Sequence, residues 1–240
     1  MSAADGPTRA SAADARSGGE ADDIAVDARI PSAAATPTSV TGPRVGWVRR
    51  GSQLFAGLVL YAVSIALIVH AQTGNMPWDV LSQGVARQLG WSFGTAVIVL
   101  SVAVLACWIP LRQRPGFGTV ANVLVIGLLV DPFLAVLARL PELAWPALVG
   151  LTAAGIILNG LATALYIGAR MGPGPRDGLM TGLVARTGRP VGLVRVVIEV
   201  VVVAFGWLLG GTVGWATIVY ALAIGPIVHA LLPRLTLPPR

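Results

Sequence analysis

The sequence predicts an all-α membrane protein with six transmembrane helices, arranged as two inverted three-helix repeats that each carry an additional short helix. Of the 240 residues, 55% are hydrophobic and only 12% are charged, which lies outside the range of soluble domains. Six apolar runs are each long enough to cross a hydrocarbon core of about 30 Å. The second half of the chain also repeats the first.

The N-terminal segment, residues 1–46, is predicted to be a disordered cytoplasmic tail. It is rich in Ala, Ser, Asp and Gly and contains no aromatic residue, so it cannot bury enough apolar surface to fold. No charged segment followed by a short apolar one precedes the first long apolar run, and that run is long enough to stay in the bilayer. We therefore expect no cleaved signal peptide.

The six apolar runs are predicted to be helices, because they are too long and too uniformly apolar for the alternating strands of a membrane barrel. They cover approximately residues 52–72, 93–111, 117–138, 147–169, 191–210 and 215–233. Tryptophans near their ends are typical of an interfacial belt: Trp47, Trp91, Trp108, Trp145 and Trp215.

The arginines predict the orientation, since cytoplasmic loops of membrane proteins carry an excess of positive charge. All 17 basic residues are arginines. With the N-terminus inside, the outer side receives only Arg87 and Arg139. The inner side receives Arg44, Arg49, Arg50, Arg112, Arg114, Arg170, Arg176, Arg186, Arg189, Arg234 and Arg240. The prediction is a plasma-membrane protein with both termini in the cytoplasm.

An internal repeat appears when the sequence is shifted by 98 residues, because residues 54–132 then align with residues 152–230 at more than 20 identities. The identities include Pro77 with Pro175 and Asp79 with Asp177, which apolar composition alone would not produce. The membrane repeats are residues 47–140 and 141–235. Three spans per repeat is an odd number, so the second repeat is predicted to be inverted, as in many secondary transporters. A duplicated scaffold without transport activity is the alternative.

Each repeat contains a short segment that begins with Pro and carries Asp two residues later, at Pro77 and at Pro175. Pro at the first helical position costs no hydrogen bond, and the Asp faces free backbone N–H groups. Three interpretations remain open: a short helix capped by its Asp, a re-entrant helix whose N-terminus points at a shared central site, and an interfacial helix. An apolar stripe on the first segment fits the interfacial alternative: Val80, Leu81, Val85 and Leu89.

Polar residues inside the spans are candidate functional residues, because ionisable groups are costly in lipid. Five of them share a similar depth near the inner boundary and are predicted to meet in one layer: Asn122, Asn159, Arg195, Glu199 and His229. A plain ion pair between Arg195 and Glu199 is the alternative. Asp131 lies in the outer half, either as a functional group or as the end of its helix before Pro132.

Enzyme and cofactor chemistry are not predicted. One cysteine and two histidines cannot form a disulfide framework or a His/Cys zinc cluster. The sequence has no Gly-x-Ser-x-Gly elbow, no Walker A lysine and no His-Glu-x-x-His motif. We therefore expect no enzyme, no cofactor, no metal and no nucleic-acid partner. The expected partners are the lipid bilayer and an unidentified small molecule.

Three motifs resemble the YczE/YitT group of bacterial integral membrane proteins, over approximately residues 50–232. They are Gly74-x-x-Pro-Trp-Asp-Val-Leu81, Gly116-Phe-Gly-Thr119 followed by Asn122, and Gly172-Pro-Gly-Pro-Arg-Asp-Gly-Leu-Met180. The resemblance implies a small multi-spanning plasma-membrane protein, with exporter-like roles and support of secondary-metabolite production suggested for some relatives. It implies no catalytic residues.

We therefore expect a transporter or exporter-like protein whose halves rock around Asp79 and Asp177. In this hypothesis Arg176 is an ion-pair partner for Asp177, Arg195 attracts an anionic group and Glu199 carries a proton. The alternative is a membrane scaffold or regulatory partner of a cytoplasmic enzyme system. Polar side chains that converge on a cavity favour the transporter, whereas a closed interior with local pairs favours the scaffold.

Overall fold

The structure is a computed structural model that describes residues 46–238. The described residues form eight α-helices and no strand. Nearly all of the predicted tail, residues 1–45, lies outside the described residues. The helices are α1 (Trp47–Ala71), α2 (Pro77–Leu89), α3 (Phe93–Leu111), α4 (Phe117–Leu137), α5 (Trp145–Gly168), α6 (Pro175–Thr187), α7 (Val191–Leu208) and α8 (Trp215–Leu235).

Six of these helices, all except α2 and α6, are long and apolar enough to cross a membrane. They match the six predicted runs, so the all-helical, multi-pass character is confirmed. The first helix begins at Trp47, five residues before the predicted run, and thus includes Arg50. Arg50 is buried and donates hydrogen bonds to the carbonyls of Ala169 and Pro238, which explains how an arginine fits inside this helix end.

The centre of the bundle is formed by α1 and α5, which run antiparallel and pack closely. A side chain at Gly57 would lie 2.8 Å from the backbone nitrogen of Tyr166, and one at Gly155 would collide with Ile68. Glycine at both positions therefore permits the close approach. Helix α4 packs against α1, helix α8 against α5, helix α7 against α2 and helix α3 against α6.

Asp131 does not end its helix, because α4 continues through Pro132 to Leu137. Its Oδ1 instead accepts a hydrogen bond of 2.9 Å from the backbone N–H of Gly94, in the first turn of α3. An Asp from a neighbouring helix thus satisfies one of the N–H groups that a helix start leaves free. This contact joins α3 to α4.

Four of the five predicted interfacial tryptophans are exposed: Trp47, Trp91, Trp145 and Trp215. The prediction was wrong for Trp108, which is only 1% exposed. Its indole Nε1 donates a 3.0 Å hydrogen bond to the carbonyl of Pro175, and its ring fills the space beside Gly178. Trp108 is therefore a packing residue between α3 and α6.

Candidate functional site

The first turns of α2 and α6 meet through an ion pair whose carboxylate is fully buried and whose guanidinium is partly exposed. Nη2 of Arg176, the second residue of α6, lies 3.2 Å from Oδ1 of Asp79, the third residue of α2. The guanidinium of Arg176 also stacks over the indole of Trp78, 5.3 Å from the ring centre. The sequence hypothesis paired Arg176 with its neighbour Asp177, but the arginine reaches across to the other short helix instead.

The start of α6 is fixed by contacts from α3 and α4. Gly172 has a φ of 130°, which a residue with a side chain rarely adopts, and this glycine turns the chain into α6. The N–H of Gly118 donates to the carbonyl of Met171 at 2.8 Å, and the hydroxyl of Thr119 donates to the carbonyl of Pro173 at 2.7 Å. These bonds hold the residues that precede Arg176.

The start of α2 is fixed by contacts from α7, α8 and the loop between them. Gly74 has a φ of 119° and turns the chain into α2. The N–H of Ala216 donates to the carbonyl of Thr73 at 3.2 Å, and the N–H of Asn75 donates to the carbonyl of Thr212 at 3.1 Å. Gly206 lies so close to α2 that a side chain there would collide with Leu81. Asp79 is therefore held by rigid backbone.

Asp79 is completely buried, with 0% exposure. Its Oδ1 accepts from Arg176, whereas its Oδ2 has no hydrogen-bond partner among residues 46–238. Asp79 lies on α2, outside the six spans, and burial raises the pKa of its carboxyl despite the opposing effect of Arg176. This carboxyl group holds a proton more readily than an ordinary aspartate does.

Asp177 faces a different set of partners. The hydroxyl of Tyr166 donates to its Oδ2. A side chain at Gly174 would approach this Oδ2 at 3.0 Å, the Tyr166 hydroxyl at 3.3 Å and Nδ2 of Asn122 at 3.4 Å. The absence of a side chain at Gly174 thus leaves room for these three polar groups. Burial also raises the pKa of Asp177, which lies outside the spans on α6, while the hydrogen bond from Tyr166 opposes this rise.

A chain of hydrogen bonds connects the central helices beside the two carboxyls. The hydroxyl of Tyr220 on α8 donates to Oδ1 of Asn159 on α5 at 2.8 Å, and Nδ2 of Asn159 donates to Oγ of Ser64 on α1 at 2.9 Å. Ser64 donates in turn to the carbonyl of Tyr61 at 2.7 Å. The polar groups of the site therefore come from both halves of the chain.

A small cavity of about 40 Å³ adjoins the ion pair and has room for a water molecule or a small ion. Its polar lining includes a carboxyl group, a guanidinium, two phenols, an amide and a hydroxyl. If both carboxyls are ionised, their two negative charges face one arginine, so the cluster can hold a proton or a cation. In residues 46–238 no three His, Cys, Asp or Glu side chains are grouped as metal ligands. The cavity is lined by Tyr61, Val97, Ser101, Asn122, Ile126, Tyr166, Gly174, Pro175, Arg176 and Asp177.

The predicted site residues divide into two groups. Asp79, Arg176, Asp177, Asn122 and Asn159 lie in the central region just described. The others lie apart from it: Arg195 and Glu199 pair with each other at 2.9 Å, Asp131 binds Gly94, and His229 is exposed. The predicted layer of five residues is therefore not assembled in this conformation.

Sequence reasoning missed Tyr61, Tyr166 and Tyr220, because tyrosine in an apolar span is hard to distinguish from other aromatic residues. The repeat contained a usable signal. Tyr61 aligns with Asn159, and Tyr220 aligns with Asn122, so each aromatic residue stands opposite a polar amide. A phenol that replaces an amide in the interior indicates that its hydroxyl has a polar partner.

Comparisons with known proteins identify relatives that match most of this chain and most of their own length. Residues 48–233 match DUF6198, a family of unknown function. An uncharacterised protein of Haemophilus influenzae is 39% identical over 180 residues, which cover 73% of this chain and 82% of that protein. The uncharacterised membrane protein YczE of Bacillus subtilis is 29% identical over 189 residues, 78% of this chain and 87% of YczE. The resemblance to YczE is thus confirmed.

The uncharacterised protein YyaS of Bacillus subtilis is also similar, with 22% identity over 179 residues, or 74% of this chain and 89% of YyaS. No solved structure matches the chain.

Proposed function

This chain belongs to the DUF6198 family of unknown function, and we propose that it is a small-molecule transporter of the exporter type. In this proposal the protein lies in the plasma membrane with both termini in the cytoplasm, and its two halves are inverted copies that move around Asp79, Arg176 and Asp177. The observation that carries the proposal is the ion pair of the fully buried Asp79 with Arg176, between the starts of α2 and α6 and beside a cavity lined by polar groups.

Reciprocal contacts support an inverted relation between the halves. The Gly118–Met171 backbone hydrogen bond and the Ala216–Thr73 bond join positions that exchange with each other when 98 is added or subtracted. The same holds for the contacts of Gly57 with Tyr166 and of Gly155 with Ile68. Contacts that are exchanged in this way across antiparallel helices fit a two-fold axis in the membrane plane, as in inverted-repeat transporters.

The chemistry of the site favours a transporter over a scaffold. Burying an ion pair costs free energy, and well-packed apolar residues of similar volume often stabilise a protein as much or more. Oδ2 of Asp79 is a buried carboxylate oxygen without a hydrogen-bond partner in the described residues, and a scaffold gains little from such a group. In a transporter, such groups bind the cargo or the coupling proton.

The size of the cavity defines what this conformation can hold. About 40 Å³ accommodates a water molecule or an ion but not an organic molecule. In the conformation described here, only water, a proton or a small ion therefore has room beside Asp177.

The test is export by a deletion strain that is complemented with variants at matched protein levels. Metabolites inside and outside the cells are compared for the wild-type protein, Asp79→Asn and Asp177→Asn. We expect the wild type to restore export and both variants to lose it, because Asn keeps the size of the side chain but cannot carry the charge or the proton.

Glu142→Gln is the control, since Glu142 is an exposed carboxylate in the loop between α4 and α5, outside the site. It loses a negative charge in the same way, and export should persist. Full rescue by both Asp79→Asn and Asp177→Asn would refute the proposal. If rescue instead depends on the cytoplasmic loop residues Arg112 and Arg114, the scaffold hypothesis gains support.

A further inference from the structure

The two halves differ in how their second and third spans pack. Helix α3 lies against α4 so closely that a side chain at Gly94 would collide with the carbonyl of Gly127, and one at Gly127 would collide with the side chain of Ile98. The hydrogen bond from Gly94 to Asp131 reinforces this contact. We call this the α3–α4 interface.

The corresponding positions on α7 and α8 are separated. Adding 98 to Gly94, Ile98, Gly127 and Asp131 gives Gly192, Val196, Gly225 and His229. Side chains built at Gly192 and at Gly225 would meet nothing within 4 Å in the described part of the chain. Val196 is 57% exposed, and α7 makes almost no contact with α8. We call this the α7–α8 gap.

In the first half of α7, the face that carries Gly192 and Val196 is open, whereas Val194 on another face is buried. The second half of α7 is held by α2, because Gly206 lies directly against the backbone of Leu81. Helix α3 is held in the corresponding way, since Trp108 fills the space beside Gly178 of α6. The second halves of α3 and α7 are therefore both held by a short helix. Their first halves differ, since that of α3 packs against α4 and that of α7 stands apart from α8.

We propose that the protein has a second conformation, in which the first half of α7 closes onto α8 through Gly192, Val196 and Gly225 while the first half of α3 leaves α4. The proposal deepens the proposed function, on which it rests, by identifying the two gates. The evidence is the closed α3–α4 interface, in which the equivalent glycines Gly94 and Gly127 already accept a helix at van der Waals distance. Gly225 lies in the interior of α8, where glycine carries a helix-propensity cost that close packing of this kind explains.

The exchange changes the composition of the site. Val97 and Ser101 of α3 line the cavity, and their counterparts on α7 are Arg195 and Glu199. Departure of α3 opens one side of the cavity. Closure of α7 brings the ion pair of Arg195 with Glu199 to the corresponding position on the other side. Arg195 and Glu199 are therefore site residues in the second conformation, which explains their separation from the site here.

Disulfide cross-linking in membranes tests the exchange without measuring transport. In a background with the exposed Cys107 replaced by Ser, one variant carries Ile98→Cys and Gly127→Cys, and its counterpart carries Val196→Cys and Gly225→Cys. A disulfide requires Cβ atoms about 3.5–4.5 Å apart, so each pair reports closure of its own helix. We expect mild oxidation to cause loss of free thiols within single chains for both pairs.

The matched control pairs Val196→Cys with Ala223→Cys, because Ala223 packs against the core on the opposite side of α8. This pair should keep its thiols. A disulfide in the 98–127 pair without one in the 196–225 pair would overturn the proposal, because the gap would then be permanent. A covalent dimer formed by the 196–225 pair would overturn it as well, since a second copy would then cover α7. If neither cysteine pair formed a disulfide, the result would contradict the α3–α4 interface on which the proposal is built.

A second variant guards against loss of folding. Gly225→Leu places a bulky side chain in the gap, where the present conformation has open space, and should block closure of α7. Added to the 98–127 pair, it should increase the fraction of chains cross-linked between α3 and α4; no increase would count against the exchange. Cross-linking of both pairs together with unimpaired export by Asp79→Asn and Asp177→Asn would refute the proposed site but leave the exchange intact.

Discussion

The ion pair between Asp79 and Arg176 allows a quantitative test of what holds α2 and α6 together. Removing one partner of a buried ion pair costs about 3–5 kcal/mol, because the remaining charge stays buried without compensation. Arg176→Met leaves Asp79, which is fully buried, without its only hydrogen-bond donor in the described residues. Because the side chain of Arg176 is 25% exposed and the carboxyl of Asp79 can take up a proton, we expect a loss of about 3 kcal/mol, the lower end of this range.

Asp79→Asn should cost less, on the order of 2 kcal/mol, because the remaining arginine has other partners. The side chain of Arg176 is 25% exposed and stacks on Trp78, and Asn still offers it an acceptor oxygen. The double variant should recover about 1–3 kcal/mol relative to the sum of the single variants, since neither charge then remains.

The assay is reversible unfolding in detergent, followed by tryptophan fluorescence, for the wild type, both single variants and the double variant. Arg87→Gln is the control, because Arg87 is exposed and bonds the carbonyl of Gly210 at the surface; it should change the unfolding free energy by less than about 0.5 kcal/mol. Strict additivity of the single variants, or a larger loss for Asp79→Asn than for Arg176→Met, would refute the interpretation of a coupled buried pair.

Three further predictions concern packing, the site and topology. Gly178→Ala should lower the thermal midpoint by an amount that corresponds to about 1–3 kcal/mol, because its methyl group overlaps a buried indole ring; an unchanged midpoint would contradict this packing. Tyr166→Phe should reduce export at normal protein levels, because Asp177 loses a hydrogen-bond donor, and undiminished export would remove Tyr166 from the site. In a cysteine-free background, an impermeant thiol reagent applied to intact cells should label Arg87→Cys but not Arg189→Cys, and equal labelling would contradict the inverted topology.

The fold could be predicted from the sequence because lipid leaves few alternatives. Backbone groups in hydrocarbon must be satisfied within their own segment, so a long apolar run is a helix. The short helices were also predictable, because Pro77 and Pro175 mark helix starts and Gly90 and Gly188 adopt the left-handed conformation that ends them.

The partners of the polar residues could not be predicted, because they depend on which helices touch. Arg176 lies next to Asp177 in sequence but pairs with Asp79, 97 positions away. Asp131 precedes a proline, which is typical of a helix end, yet it binds the start of α3. Trp108 is near the end of a span, and only the contact with α6 makes it a buried residue. Depth along each helix can be predicted from the sequence, but rotation around each helix cannot, and rotation decides whether residues at one depth meet.

The stacking of Arg176 on Trp78 has a consequence for how such a protein can evolve. These two residues occupy the same position in the two repeats and also touch each other, so in an inverted pair of halves they lie at the axis. A dimer of two identical half-length chains would carry the same residue twice at this point, and would bring either two cations or two indoles together. Once the two halves are encoded separately, one copy can keep an aromatic ring while the other acquires a positive charge. Divergence of the two halves therefore permits a single cation at this point, which two identical half-length chains could not place there.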